Sequence, residues 1–155
     1  FLTFFSILTT LLAGIGAMYE NDLKKIIALS TLSQLGVMMF SMSMGLKLLA
    51  FTHLIIHAFF KALMFLSGGS IMHGTFGNQD IRYLGGLSKY SPYLNYCMCL
   101  AIMALGSFPF LSSFYSKHVI LDCFIGMGGN SFFIVLVYLA NLFTVIYSFR
   151  LFFYL

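Results

Sequence analysis

The chain has 155 residues, is 61% hydrophobic and only 8% charged, and its mean hydropathy is +0.99, far from the balance of a domain that folds in water. A net charge of +4, dispersed along the sequence, is too small for a nucleic-acid surface, and it bears on membrane topology instead. Of the three cysteines, Cys97 and Cys99 are two apart on one expected helix, hence on opposite faces, and Cys123 is distant. Free thiols are expected, without a disulfide or a metal site.

A hydrocarbon core of about 30 Å needs about 20 helical residues, and the sequence divides into five apolar stretches of about that length. The fold class expected is all-α, a polytopic transmembrane helix bundle. Residues 1–18 form an uncharged first span. Phe1 is not an initiator methionine and Leu155 falls inside an apolar run, so a piece of a longer polypeptide is expected. YENDLKK (19–25) is a charged turn in which Asn21 or Asp22 is placed to cap the next helix. The second span, about 26–46, carries Ser30, Thr31, Ser33 and Gln34 in its first turns. These polar groups are suited either to a neighbouring helix or water, or to bonding their own backbone.

Lys47 marks a short turn into the third span, about 48–72. Here HLIIHAFFKALMFLSGGSIMH (53–73) places His53, His57 and Lys61 at every fourth position. A helix turns about 100° per residue, so the three line one wall, their heads separated by roughly 6 Å of rise. That separation is too long for direct proton transfer and short enough for a water or two to bridge. Gly68, Gly69 and Ser70 are small enough to admit another helix. A polar loop, 73–91, carries Asp80, Arg82 and Lys89, with His73 at the helix end as an interfacial residue.

The fourth apolar region, about 93–124, would reach roughly 48 Å as one straight helix, longer than a bilayer core requires. Gly106, Ser107, Pro109, Ser112 and Ser113 cluster in its middle. Pro109 lacks a backbone donor and clashes with the carbonyl four residues earlier, so a discontinuous helix is expected, with Lys117 in its second half. Such breaks are tolerated where they face protein or a wet cavity, and in transporters they often mark the ion site. A glycine-rich turn, GMGGN (126–130), leads to the fifth span, 131–155, with Asn141 inside and Arg150 near its end. The turn is not a nucleotide loop, because no strand precedes it.

The loops after spans one and three and the end of span five share one side and carry Lys24, Lys25, Arg82, Lys89 and Arg150, against Lys47 alone opposite. The positive-inside rule puts the first group on the cytoplasmic or matrix face.

A lysine or histidine within a membrane helix costs several kcal/mol unless it faces a polar interior, so its presence there is by default functional. The plainer readings are helix-to-helix glue or an amine that snorkels to the surface. Lys61 lies near mid-span, too deep to snorkel readily, with two histidines on its face, whereas the break leaves the depth of Lys117 open. Histidine titrates near neutral pH, and a partly dehydrated lysine can exchange protons there too. A metal on His53 and His57 is disfavoured, since Leu54 stands where a zincin has its glutamate and the span has no carboxylate.

The stretches NDLKKIIALSTLSQLG (21–36), HLIIHAFFKALMFLSGGSIMH (53–73), QDIRYLGGL (79–87) and PFLSSFYSK (109–117) resemble the mitochondrial NADH dehydrogenase subunit 5 family, antiporter-like membrane subunits of respiratory complex I. The resemblance covers nearly the whole chain. It implies that 1–155 is an internal fragment of a proton-translocating membrane domain, its five spans forming the second of two inverted repeats. It implies that His53, His57 and Lys61 are proton-relay residues of the central axis, and that Lys117 is the broken-helix lysine leading to the exit side. It implies other membrane subunits of complex I, the lipid bilayer, protons and channel water as partners, in the mitochondrial inner membrane, with the Lys24/Lys25 and Arg82/Lys89 loops on the matrix side. NADH, flavin (FMN), iron–sulfur clusters and ubiquinone would bind other subunits; no motif here would hold them.

Two departures stand out. His118 occupies a position where the family usually has an aspartate, which removes an anion from beside Lys117; Asp122 would have to compensate, or His118 would extend the relay. Ser113 stands where a glycine is common. A subunit of a related sodium/proton antiporter would carry the same ladder, and a purely structural scaffold would tolerate neutral residues at 53, 57 and 61.

Overall fold

The computed structural model describes residues 1–128 and 130–155; Gly129 of the expected glycine-rich turn lies outside the described residues. The described residues form seven α-helices: α1 (Leu2–Tyr19), α2 (Leu23–Ser43), α3 (Lys47–Gly74), α4 (Leu87–Tyr90), α5 (Pro92–Leu105), α6 (Ser112–Gly126) and α7 (Ser131–Tyr154). Four of them, α1, α2, α3 and α7, are long and apolar enough to cross a membrane. With 14 and 15 residues, α5 and α6 are about 21–22 Å long each. Neither reaches across a core of about 30 Å, so the two halves of the expected fourth span make one crossing between them.

Exposure follows the logic of a lipid solvent. Large apolar side chains such as Phe51, Phe59 and Leu66 point outward, while Ser30, Ser33, Gln34, His53, Lys61 and Lys117 are buried. Apolar surface loses nothing against lipid tails, whereas a polar group there has no partner, so the polar set turns inward.

Helices α1 and α2 form a hairpin, α3 packs on α2, α5 and α6, and α7 closes against α1 and α5. Gly36 lets α2 meet α1 at backbone distance, since a Cβ there would lie 2.4 Å from Thr10 Cγ2. Gly68 does the same for α3, where a Cβ would press on Leu23 and Ile27 at 3.1 and 3.3 Å. Of the three small residues expected to admit a helix, Gly68 does so; Gly69 has open space around it, and Ser70 bonds its own helix.

The charged segments gather at one end. The Leu23 N–H donates to the Gln79 carbonyl at 2.9 Å and the Ile81 N–H to the Asn21 carbonyl at 3.0 Å. The Arg150 guanidinium reaches both the Met18 carbonyl and Asn21 Oδ1. Asp22 is the N-cap residue of α2, but neither candidate caps with its side chain. The Gln79 carbonyl takes the Leu23 N–H, Asn21 Oδ1 is committed to Arg150, and the Asp22 carboxylate pairs with Lys25 at 2.9 Å. The polar loop is ordered by a 3-10 turn at Ile81–Tyr83 and by α4. Lys47 lies exposed at the opposite end, where Gly45, at φ 80°, makes the reversal from α2 to α3.

Candidate functional site: a buried seam of titratable nitrogens

Along α3, His53 is 1% and Lys61 5% exposed, with His57 half-buried between them. The His53 and His57 rings stack with centroids 6.4 Å apart, so the four-residue spacing does line one face. Each end of this ladder is held by another helix. Lys61 Nζ donates to the Ile27 carbonyl at 3.0 Å and to Ser30 Oγ, both on α2. His53 Nε2 lies 3.3 Å from Gln34 Oε1 on α2, and its Nδ1 lies 2.8 Å from Ser116 Oγ on α6.

Both alternatives open for the α2 hydroxyls occur together. Ser30 donates to its own backbone at Ile27 and still accepts from Lys61; Ser33 donates to the Ser30 carbonyl and faces the Tyr147 hydroxyl of α7 at 3.4 Å. Thr31 bonds only its own helix, at Ala28. Ser30, Ser33 and Gln34 are three and four apart and share the face turned to α3 and α7.

Lys117 is buried, 4% exposed, and the break explains where its amine goes. The Leu105 carbonyl at the end of α5 would receive the N–H of residue 109, which in proline does not exist. Lys117 Nζ donates to that carbonyl at 3.1 Å. Between the half-helices the chain turns at Ser107 and Phe110, whose φ values of 57° and 72° are uncommon outside glycine, and at Gly106, where a Cβ would lie 2.8 Å from Ser148 Oγ of α7. A cavity of about 240 Å³ adjoins Lys117, lined by Ser107, His118, Tyr138, Asn141 and Thr144 among others. Its walls are mostly apolar, with Leu121, Leu142 and Val145 beside these polar groups, which give a water near the lysine its partners.

His118 is exposed and packs its ring on Phe114, with centroids 4.1 Å apart, at the rim of this cavity. Asp122 is exposed, and among the described residues the only ion pairs are those of Lys25 with Glu20 and Asp22, so Asp122 does not pair with Lys117. His73 is exposed at the end of α3. Four parts of the seam had escaped the sequence reading: Ser116, Tyr147 and the Ile27 and Leu105 carbonyls. Ser116 was detectable as the neighbour of Lys117 in a run of hydroxyls; Tyr147 sits in an apolar stretch and gave no signal.

Fold and site together define a helical membrane protein with a titratable, hydrogen-bonded interior. The sequence profile described as NADH:quinone oxidoreductase/Mrp antiporter, TM matches residues 1–144, and the chain belongs to that family. Similar curated proteins include the NADH-ubiquinone oxidoreductase chain 5 of Aedes aegypti, 51% identical over 99% of this chain and 27% of that protein. The protein of the same name from Mus musculus is 42% identical over 95% of this chain and 24% of its own length. The chain thus spans about a quarter of these relatives. A solved structure titled as the membrane-bound sulfane sulfur reductase, an archaeal respiratory membrane complex, superposes with a TM-score of 0.88 at 27% identity, covering 97% of this chain and 31% of that one.

Proposed function

We propose that residues 1–155 form the second of two inverted half-channels in a proton-translocating membrane subunit of NADH:ubiquinone oxidoreductase, in which His53, His57, Lys61 and Lys117 relay protons. The observation that carries this reading is that His53, Lys61 and Lys117 are buried and each held by a neighbouring helix, with His57 half-buried on the same face of α3. Each group can exist charged or neutral, and each bond made across a helix boundary gives a proton step a fixed geometry. Lys117 opens on the cavity beside the break.

In the complete enzyme, electron transfer from NADH to ubiquinone supplies the energy. NADH, flavin, iron–sulfur clusters and ubiquinone bind other subunits, and this chain contributes no redox chemistry. Other membrane subunits of the complex pack around it in the mitochondrial inner membrane. The cluster of Lys24, Lys25, Arg82, Lys89 and Arg150 faces the matrix, in line with the bias of basic residues in short loops. The name shared by the curated relatives favours a respiratory subunit over a sodium/proton antiporter.

The test is proton pumping per electron in reconstituted complex carrying Lys61→Met or Lys117→Met. Both are expected to pump fewer protons per electron; unchanged stoichiometry in both would sink the relay assignment.

A further inference from the structure

Both ring nitrogens of His53 are engaged, and by partners of different character. Gln34 Oε1, at 3.3 Å from Nε2, is a carbonyl oxygen that can only accept, so Nε2 carries a hydrogen whatever the charge of the ring. On the far side Ser33 faces the Tyr147 hydroxyl at 3.4 Å, and the NH₂ end of Gln34 is buried without a hydrogen-bond partner among the described residues. Ser116 Oγ, at 2.8 Å from Nδ1, is a hydroxyl that can donate or accept, and it has a second partner, the Ser113 carbonyl at 3.2 Å.

These facts leave two arrangements. With a neutral ring, Nδ1 has a lone pair and the Ser116 O–H donates to it. With a protonated ring, the new Nδ1–H needs the Ser116 oxygen, and the hydroxyl hydrogen must turn to the Ser113 carbonyl.

We infer that Gln34 and Ser116 are positioning residues of the relay. Gln34 locks His53 as the Nε2–H tautomer, so that protons enter and leave at Nδ1 alone, and Ser116 is a two-position rotor that registers the charge of His53 on α6, one residue from Lys117. This rests on the relay reading above. The titratable neighbours are His57 and Lys61 on α3, Lys117 on α6 and the Tyr147 phenol on α7; α2 contributes only neutral groups at this point. Among the described residues His57 Nε2 has no partner, and both His53 nitrogens are already taken by Gln34 and Ser116. The His53 step therefore runs sideways from α3 to α6, not along the α3 ladder. A proton reaching Nδ1 passes through Ser116, whose hydroxyl gives one hydrogen to the ring and takes another in its place; the acid that supplies it loses the charge that the imidazole gains, so total charge is conserved.

The experiment uses the assembled complex labelled with ¹⁵N-histidine, the His53 resonances being those lost in His53→Asn. At neutral ring charge, Nε2 is expected to show the shift of a protonated nitrogen and Nδ1 that of an unprotonated one. Gln34→Leu should bring in the Nδ1–H tautomer. Ser116→Ala should slow pumping by about tenfold, as loss of a histidine-orienting partner does, and Ser116→Thr, which keeps the hydroxyl, should recover most of that rate. A hydrogen on Nδ1 in the unaltered protein overturns the tautomer lock. Normal pumping in both Gln34→Leu and Ser116→Ala, with Lys61→Met impaired, overturns the positioning role while leaving the relay. Normal pumping in both Lys61→Met and Lys117→Met overturns the relay and the rotor's part in it, and the spectra then judge the tautomer lock alone.

Discussion

Lys117 and Leu105 are joined by a hydrogen bond across the break: the amine donates, at 3.1 Å, to a carbonyl at the end of α5 whose helical partner would be Pro109, which has no N–H. The same proline that breaks the span frees the acceptor, and the second half-helix returns a cation to it. Lys117→Met leaves this carbonyl buried without a donor, at a cost of about 1–3 kcal/mol. The complex should lose thermal stability as well as pumping, measured by thermal inactivation of the reconstituted enzyme; loss of pumping with unchanged stability would mean that the carbonyl finds another donor.

Lys61 has two acceptors, the Ile27 carbonyl and Ser30 Oγ. Ser30→Ala removes one of them and is expected to slow pumping several-fold. Thr31→Ala, next in sequence but bonded only to its own helix, should stay within about 0.5 kcal/mol of the unaltered protein in stability and pump normally. Equal effects of the two substitutions would deny Ser30 any special part.

Gly36 and Gly69 are both helical glycines, yet their surroundings predict opposite outcomes. A Cβ at Gly36 would meet Thr10 Cγ2 at 2.4 Å and the Ser6 carbonyl at 3.1 Å, so α1 and α2 must separate. Gly36→Ala should destabilise by about 1–3 kcal/mol, as overpacking does. Gly69→Ala meets nothing within 4 Å and should be neutral or slightly stabilising, because alanine favours the helix. The yield of assembled complex after heating ranks them.

The Lys25 ammonium beside Asp22, and then a hydrogen bond with Asp80, hold the Asp22 carboxyl below its ordinary value of 3.8. A depressed carboxylate contributes stability above its unfolded value and loses it as pH falls through the folded one. The latch between residues 21–23 and 79–81 should therefore loosen only below about pH 4. The Asp22 side chain is partly exposed and its partner Lys25 more so, so the effect is small and weakens with salt. Hydrogen-exchange protection of the Ile81 N–H reports it: protection falls in acid for the unaltered protein and is flat with pH in Asp22→Asn.

The basic cluster and Lys47 lie at opposite ends of the bundle, so their accessibilities must be opposite. In a background without native cysteines, Lys47→Cys should react with a membrane-impermeant maleimide added to intact mitochondria whose outer membrane is opened, and Lys89→Cys only after the inner membrane is permeabilised. The reverse pattern would overturn the matrix orientation.

Most of the fold was legible in the chain. Five apolar runs, a charged turn and one proline fixed the number of crossings and the place of the break, because hydropathy and the missing proline donor act locally. The α2 boundary moved: the helix begins at Leu23, ahead of the expected residue 26, because the Gln79 carbonyl, 56 positions away, satisfies its first N–H. The capping role expected of Asn21 or Asp22 failed for a similar reason, since Arg150 and Lys25 claim those side chains.

For the candidate site, the sequence by itself determined the ladder on α3, since a four-residue spacing on a helix sets the face without help from the rest of the chain. It also determined that Lys117 follows a break. Only the tertiary structure decided which groups meet these nitrogens: Ser30 and the Ile27 carbonyl for Lys61, Gln34 and Ser116 for His53, Leu105 for Lys117. The reason is physical. Serines, glutamines and main-chain carbonyls occur throughout such a chain, and what distinguishes the few that matter is burial against a helix far away in sequence, where an unmet donor or acceptor is costly and water or lipid cannot substitute.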